Sequence, residues 1–85
     1  MSDIENTIKE RTKTCGEFRD ITKTSYDLKY TLRQGDKFPR IPPYMVEAID
    51  MIAHKLARIV QGDPLFIDHW RDIQGYARLV ENELA

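Results

Sequence analysis

Residues that build covalently or metal-stapled folds are scarce in this chain. Its 85 residues hold one cysteine, Cys15, and two histidines, so no internal disulfide can form and no Cys/His set has zinc-ligand spacing. No apolar run approaches the ~20 residues of a membrane span. The opening MSDIENTIKE has no apolar core of a secretory signal, so the expected compartment is cytosolic. Strict apolar/polar alternation is missing, as are internal repeats and low-complexity stretches, which excludes sheet and solenoid architectures. A dominant charge is missing too. Thirteen Lys/Arg meet fourteen Asp/Glu, with nine basic against seven acidic side chains in residues 1–40 and four against seven in residues 41–85. Neither half is basic enough to hold a nucleic-acid backbone by charge alone.

What remains is ordinary soluble-domain chemistry, 41% hydrophobic and 32% charged, in a length that fits a single domain over 1–85. A chain this short buries only about 60–65% of its unfolded surface, so self-association is the expected supplement to a thin core. Gly16, the 34–43 stretch and Gly62-Asp63-Pro64 cut the chain into four pieces of helical length. Ser2 and Glu5 have capping-box spacing at the head of a short helix over 3–13, weakly docked through Ile4 and Ile8. Phe18, Ile21, Ser25, Leu28 and Leu32 mark one face of a helix over 17–33, and a buried Ser25 would bond back to the carbonyl four residues earlier. Pro39, Pro42 and Pro43 predict an extended, stiff connection, with Pro43 in a first helical turn.

The strongest period follows. Met45, Ile49, Ile52, Leu56 and Ile59, widened by Val46, Ala53 and Val60, predict a helix over 43–61, closed by Gly62 in a left-handed C′ conformation. Asp63-Pro64 or Asp68 then starts a helix over 65–84 with the apolar row Trp70, Ile73, Ala77, Val80 and Leu84. The expected fold is all-α: a small bundle of three main helices plus a short N-terminal one, the last two forming an antiparallel hairpin.

Four constellations carry potential chemistry. Arg19, Lys23, Tyr26, Tyr30 and Arg33 recur at steps of four and three along one flank of the second helix. Cations interleaved with flat rings suit a phosphate-and-base ligand, the charge pairing one group and the ring stacking the other. The plainer alternative is a solvated flank with tyrosines lying over the core edge. Glu47 and Asp50 on the third helix and Asp68 and Asp72 on the fourth form two acidic pairs able to hold Mg²⁺ if the helices face each other. This arrangement is similar to the facing E-x-x-E and E-x-x-D helices of MazG-type nucleotide pyrophosphohydrolases, with only one Glu and a different second spacing. Glu47 and Asp50 are expected to point to solvent. His54, between Asp50 and Arg58, reads as a surface histidine or a base oriented by Asp50, and Cys15 as a turn residue. Gly75, inside the fourth helix, costs up to about 1 kcal/mol against alanine and so points to a close approach, by another helix or by a ligand.

The string from Glu47 to Pro64, EAIDMIAHKLARIVQGDP, followed by DHWRDIQGYA from Asp68 to Ala77, resembles a family of small tailed-phage and prophage proteins classed as a domain of unknown function. Its members tend to read EALDMIAHKIARIxxGDP and DxWxDIxGYA. The family's R-G-x-x-Y-G-x-F maps onto Arg11 to Phe18, with Thr12 and Cys15 replacing its glycine and tyrosine. More loosely, the chain is similar to phage domains associated with nucleotide modification. The resemblance implies a phage-encoded protein of the host-cell cytosol and directs attention to Lys55, Arg58, Asp68, Trp70, Asp72 and Tyr76. Lys55 and Arg58 would supply phosphate-directed charge, Asp72 would pair a cation or a base edge, and Tyr76 or Trp70 would stack.

The expected function is non-catalytic binding of a nucleotide or cyclic nucleotide by a homo-oligomer, serving to sequester a host defence signal. The alternatives are Mg²⁺-dependent pyrophosphate hydrolysis, which alone calls for a cofactor, and a protein-interaction module directed at a host factor.

Overall fold

The Ser2 hydroxyl accepts from the Glu5 N–H at 3.2 Å, one arm of the capping box, and starts helix α1, Asp3–Cys15, in a computed structural model that describes residues 2–85. Three further helices follow: α2 (Phe18–Leu32), α3 (Pro43–Gln61) and α4 (Ile67–Leu84). The fold is all-α, with α3 and α4 packed closely as a hairpin. No helix is long and apolar enough to cross a membrane.

The connections depart from expectation in two places. Of the first connection, Ile41 and Pro42 are extended; the chain before them runs through overlapping turns into a single 3-10 turn, Phe38–Arg40, where the missing N–H of Pro39 is not needed. Pro43 does open α3 in its first turn. Neither Asp63 nor Asp68 caps α4. The Asp63 carboxylate instead accepts from the Leu65 N–H at 2.9 Å and shapes the turn before the helix, which begins after Phe66.

Helix α3 is the spine: α2, α4 and, more lightly, α1 pack on it. Its buried residues are Ala48, Ala53, Ala57 and Ile59, small side chains that let neighbouring helices approach closely. The expected stripe is therefore only partly right. Met45, Ile49 and Ile52 are half-buried, while Leu56 and Val60 are exposed. The physical reason is that α2 and α4 bind different sides of α3, so the alanines meet the neighbours and the large residues fall between them. On α2, Ile21 and Ser25 are buried, whereas Phe18 and Leu32 at the ends are exposed. On α4 Ile73 and Val80 face the bundle as expected, but His69 and Tyr76 take the places expected of Trp70 and Ala77: His69 is 2% exposed and Trp70 47%. The Trp70 indole donates to the Pro64 carbonyl at 2.9 Å, which holds the ring over the α3–α4 turn rather than in the core.

The α1–α2 turn and the α3–α4 turn meet backbone to backbone. Gly16 adopts φ 92°, closing α1 through its N–H to the Thr12 carbonyl at 2.9 Å. A Cβ there would land on the Gln61 carbonyl, and one at Gly62 on the Thr14–Cys15 backbone. Gly62 is not left-handed, with φ −114°; glycine is needed there for space. Across this contact the Thr14 carbonyl accepts from the Asp63 N–H and is met by His69 Nε2, both at 3.0 Å. Gly16→Ala and Gly62→Ala are each expected to lose about 2–3 kcal/mol in denaturant unfolding, and the double variant less than twice that, because both changes open the same contact.

Candidate functional site

A cavity of about 350 Å³ lies where α1, the start of α2 and α3 meet. Ile8 and Ile21 line it with apolar surface, Arg11 and Arg58 give it its charge, and His54 adds an imidazole. Cys15, Thr12 and Thr22 complete the wall, and Phe18 stands at the mouth, 79% exposed. No carboxylate lines it. The turn at Gly16 creates this space, since it lays α1 against α3 while the start of α2 closes the side.

Arg58 is the unusual member. It is half-buried, its Nε is buried without a hydrogen-bond partner, and it forms no ion pair among the described residues. An uncompensated buried guanidinium donor costs folding free energy, which makes this an unusual place for a cation. The threonines cannot serve as donors here. Thr12 Oγ1 donates to the Ile8 carbonyl at 2.9 Å and Thr22 Oγ1 to the Phe18 carbonyl at 2.8 Å, which leaves only acceptor lone pairs free.

His54 is not a surface histidine. It is half-buried, with Nδ1 3.3 Å from the hydroxyl of buried Ser25, so Ser25 is answered across the α2–α3 interface and not by its own helix. With the hydroxyl donating to Nδ1, the ring proton sits on Nε2. Burial lowers the His54 pKa, and the charges of Arg58, Lys29 and Lys55 lower it further. The imidazole is thus neutral near pH 7 inside a positive field. Asp50 does not orient it, because both Asp50 oxygens accept from Arg33 at 2.8 Å.

The residues expected to bind ligand separate into three places. Arg19, Lys23, Tyr26 and Tyr30 stay on the outer face of α2, with Lys23 paired to Asp27 at 2.7 Å. Arg33 leaves that row: it forks onto Asp50 and its guanidinium lies 5.0 Å from the Phe38 ring centre. Lys55 and Asp72 pair with each other at 2.7 Å across the α3–α4 seam, and Tyr76 lines an apolar groove of about 310 Å³ with Tyr44 and Met51. Only Arg58 reaches the cavity. Contact with Arg33 holds the Asp50 carboxyl below the usual carboxylate range, and Lys55 does the same for Asp72.

Asp50 is therefore turned into an ion pair rather than to open solvent, and two acids of the Glu47, Asp50, Asp68, Asp72 quartet are held by the chain's own cations. Asp68 has Arg71 at 3.9 Å. Among the described residues, no three His, Cys, Asp or Glu side chains converge as a metal-binding group. Gly75 meets nothing: no heavy atom lies within 4 Å of where its Cβ would stand, so it is not a packing glycine within the chain.

Sequence reasoning missed Arg11, Phe18 and His54 as members of one site. Their common signal was weak, since it depends on the α1–α2 turn folding back at Gly16. Comparison with protein-family models, curated proteins and solved structures finds no match to this chain.

The His54 environment has a measurable consequence. A histidine held below its ordinary value of about 6.5 takes up its proton more readily when unfolded, so its contribution to stability is present above that value and lost as pH falls through the folded one. Thermal melts should show the midpoint falling between pH 7 and 5, with a shallower fall in His54→Gln. Loss of the Asp50 and Asp72 contributions belongs to the more acidic carboxylate window.

Proposed function

We propose that this chain is a non-catalytic binding module for a small phosphate-bearing ligand of the nucleotide type, held in the cavity between α1, α2 and α3. The observation that carries this reading is Arg58: half-buried, unpaired, its Nε without an acceptor, in a cavity with two further nitrogen-bearing side chains and no acid. A guanidinium fork matches phosphate oxygens in shape and charge. Arg11 adds a second cation at the rim, and the His54 Nε2–H adds a neutral donor. Phe18 offers a ring face at the mouth for a base, and the Thr12 and Thr22 lone pairs accept from its amino groups. The volume lies at the small end of ligand pockets, which span about 300–1,000 Å³, and fits a mononucleotide or one nucleotide of a cyclic one.

Binding is favoured over Mg²⁺-dependent hydrolysis because Asp50 and Asp72, one from each acidic pair, are already neutralised by Arg33 and Lys55. The resemblance to small phage proteins extends the reading to sequestration of a nucleotide signal in the host cytosol. A ligand phosphate in the cavity opposes the positive field on His54 and raises its pKa, so binding takes up a proton and strengthens as pH falls from 8 to 6.

Calorimetric titration with a panel of nucleotides and cyclic nucleotides tests the proposal. Arg58→Met is expected to weaken binding by about 10–100-fold, the worth of one or two charge-assisted hydrogen bonds, while leaving stability unchanged or higher. Tyr26→Ala is expected to leave affinity unchanged. Absence of heat across the panel overturns the reading; a loss with Tyr26→Ala but not with Arg58→Met moves the ligand to the outer row of α2.

A further inference from the structure

One exposed flank of α4 carries a row at every fourth residue, Arg71, Gly75, Leu79 and Glu83, which winds from the side away from α3 to the rim of the α3–α4 groove that Leu79 and Glu83 line. We propose that this row seats the same row of a second copy, with the two α4 helices antiparallel. In that register Arg71 meets the partner copy's Glu83, and Leu79 fills the space above the partner copy's Gly75. The arrangement is its own complement, which a two-fold interface requires. Rows of i, i+4 residues interdigitate when helices cross at about 50°, so the four positions face one another without distortion of either helix.

Three observations support a second copy as the occupant. Gly75 weakens a helix interior relative to alanine and serves no contact in its own chain, where open space surrounds it. Leu79 is 62% exposed and stands one turn from that space. Glu83 has no ion-pair partner among the described residues, and Arg71 has only Asp68 at 3.9 Å, so the two ends of the row carry opposite, loosely held charges.

The surface area sets the scale. The chain exposes 6526 Å². A compact monomer of its mass, 10.0 kDa, exposes about 5,200 Å², which leaves an excess on the order of 1,300 Å². A standard interface removes about 800 Å² from each partner. One such contact fits within that excess.

Sedimentation velocity on the full chain tests the interface. The wild type is expected at the mass of a dimer or a multiple of it. Gly75→Leu fills the recess with a side chain that meets nothing in its own chain, so helical circular dichroism is retained while the dissociation constant rises by at least ~100-fold. Arg71→Glu weakens assembly, and adding Glu83→Arg restores it. A wild type that stays monomeric at high concentration overturns the proposal, as does assembly unchanged in Gly75→Leu. Failure of the charge exchange to rescue overturns the antiparallel register. Nucleotide titration of Gly75→Leu separates this proposal from the cavity reading, since the row and the cavity share no residue.

Discussion

One carbonyl oxygen, that of Thr14, ties the two halves of the bundle together. It stands at the last turn of α1, where helix carbonyls have no intrahelical partner, and it is met by the Asp63 N–H and by buried His69 from the α3–α4 turn. That exchange is possible only because Gly16 and Gly62 remove side chains from both backbones at the crossing. The position of α1 follows from it. Helix α1 buries no residue of its own, and Ile4 and Ile8 are exposed, so apolar packing alone does not hold it. Its place beside α3 is set by a backbone contact at one end, and the cavity exists because that end is fixed while the helix body stands off.

The distribution of charge pairs decides where chemistry is available. Arg33, Lys23 and Lys55 each find a carboxylate within 2.8 Å, and with those contacts made they contribute little net field to a ligand. Arg58, like Arg11, Arg19 and Lys29, has no ion pair among the described residues, and its Nε is in addition buried without an acceptor. A half-buried cation without a counter-charge is rare because it costs stability, and functional sites are where such costs are tolerated. The lowered pKa of His54 is the electrostatic trace of the same imbalance, read at a neighbouring group.

Much of the fold is legible in the sequence. The capping pair Ser2 and Glu5, the proline at the head of α3 and the three-four periods of α2 and α3 locate the helices to within a few residues, because they are local signals. Faces are harder to read. The large residues of α3 define its strongest period, yet the core uses Ala48, Ala53 and Ala57, since contact on two sides favours small side chains where helices come close. On α4 a tryptophan outweighs a histidine in any hydropathy pattern, and the actual order is the reverse because His69 has the Thr14 carbonyl to bond while the Trp70 indole is satisfied at the surface. The candidate site was legible only at Arg58. Arg11 and Phe18 lie forty or more residues from it in sequence, and the turn that joins them depends on a glycine whose partner, Gly62, follows the C-terminal end of the chain's central helix.

The core itself bears on how binding and assembly relate. Five small or medium apolar residues are buried, no large side chain is fully enclosed, and the Cα envelope extends 47 Å along one axis against 25 and 23 Å on the others. Such a shape gives each helix little interior to share, so the chain's own core is thin. The features suited to a second copy lie on α4, and those suited to an anion lie on α1, α2 and the Arg58 turn of α3. In the two proposals, the groups assigned to a ligand are therefore separate from those assigned to a partner. On those proposals, assembly stabilises the thin bundle without occupying the cavity, and the added interface offsets the cost of an unpaired guanidinium kept for binding.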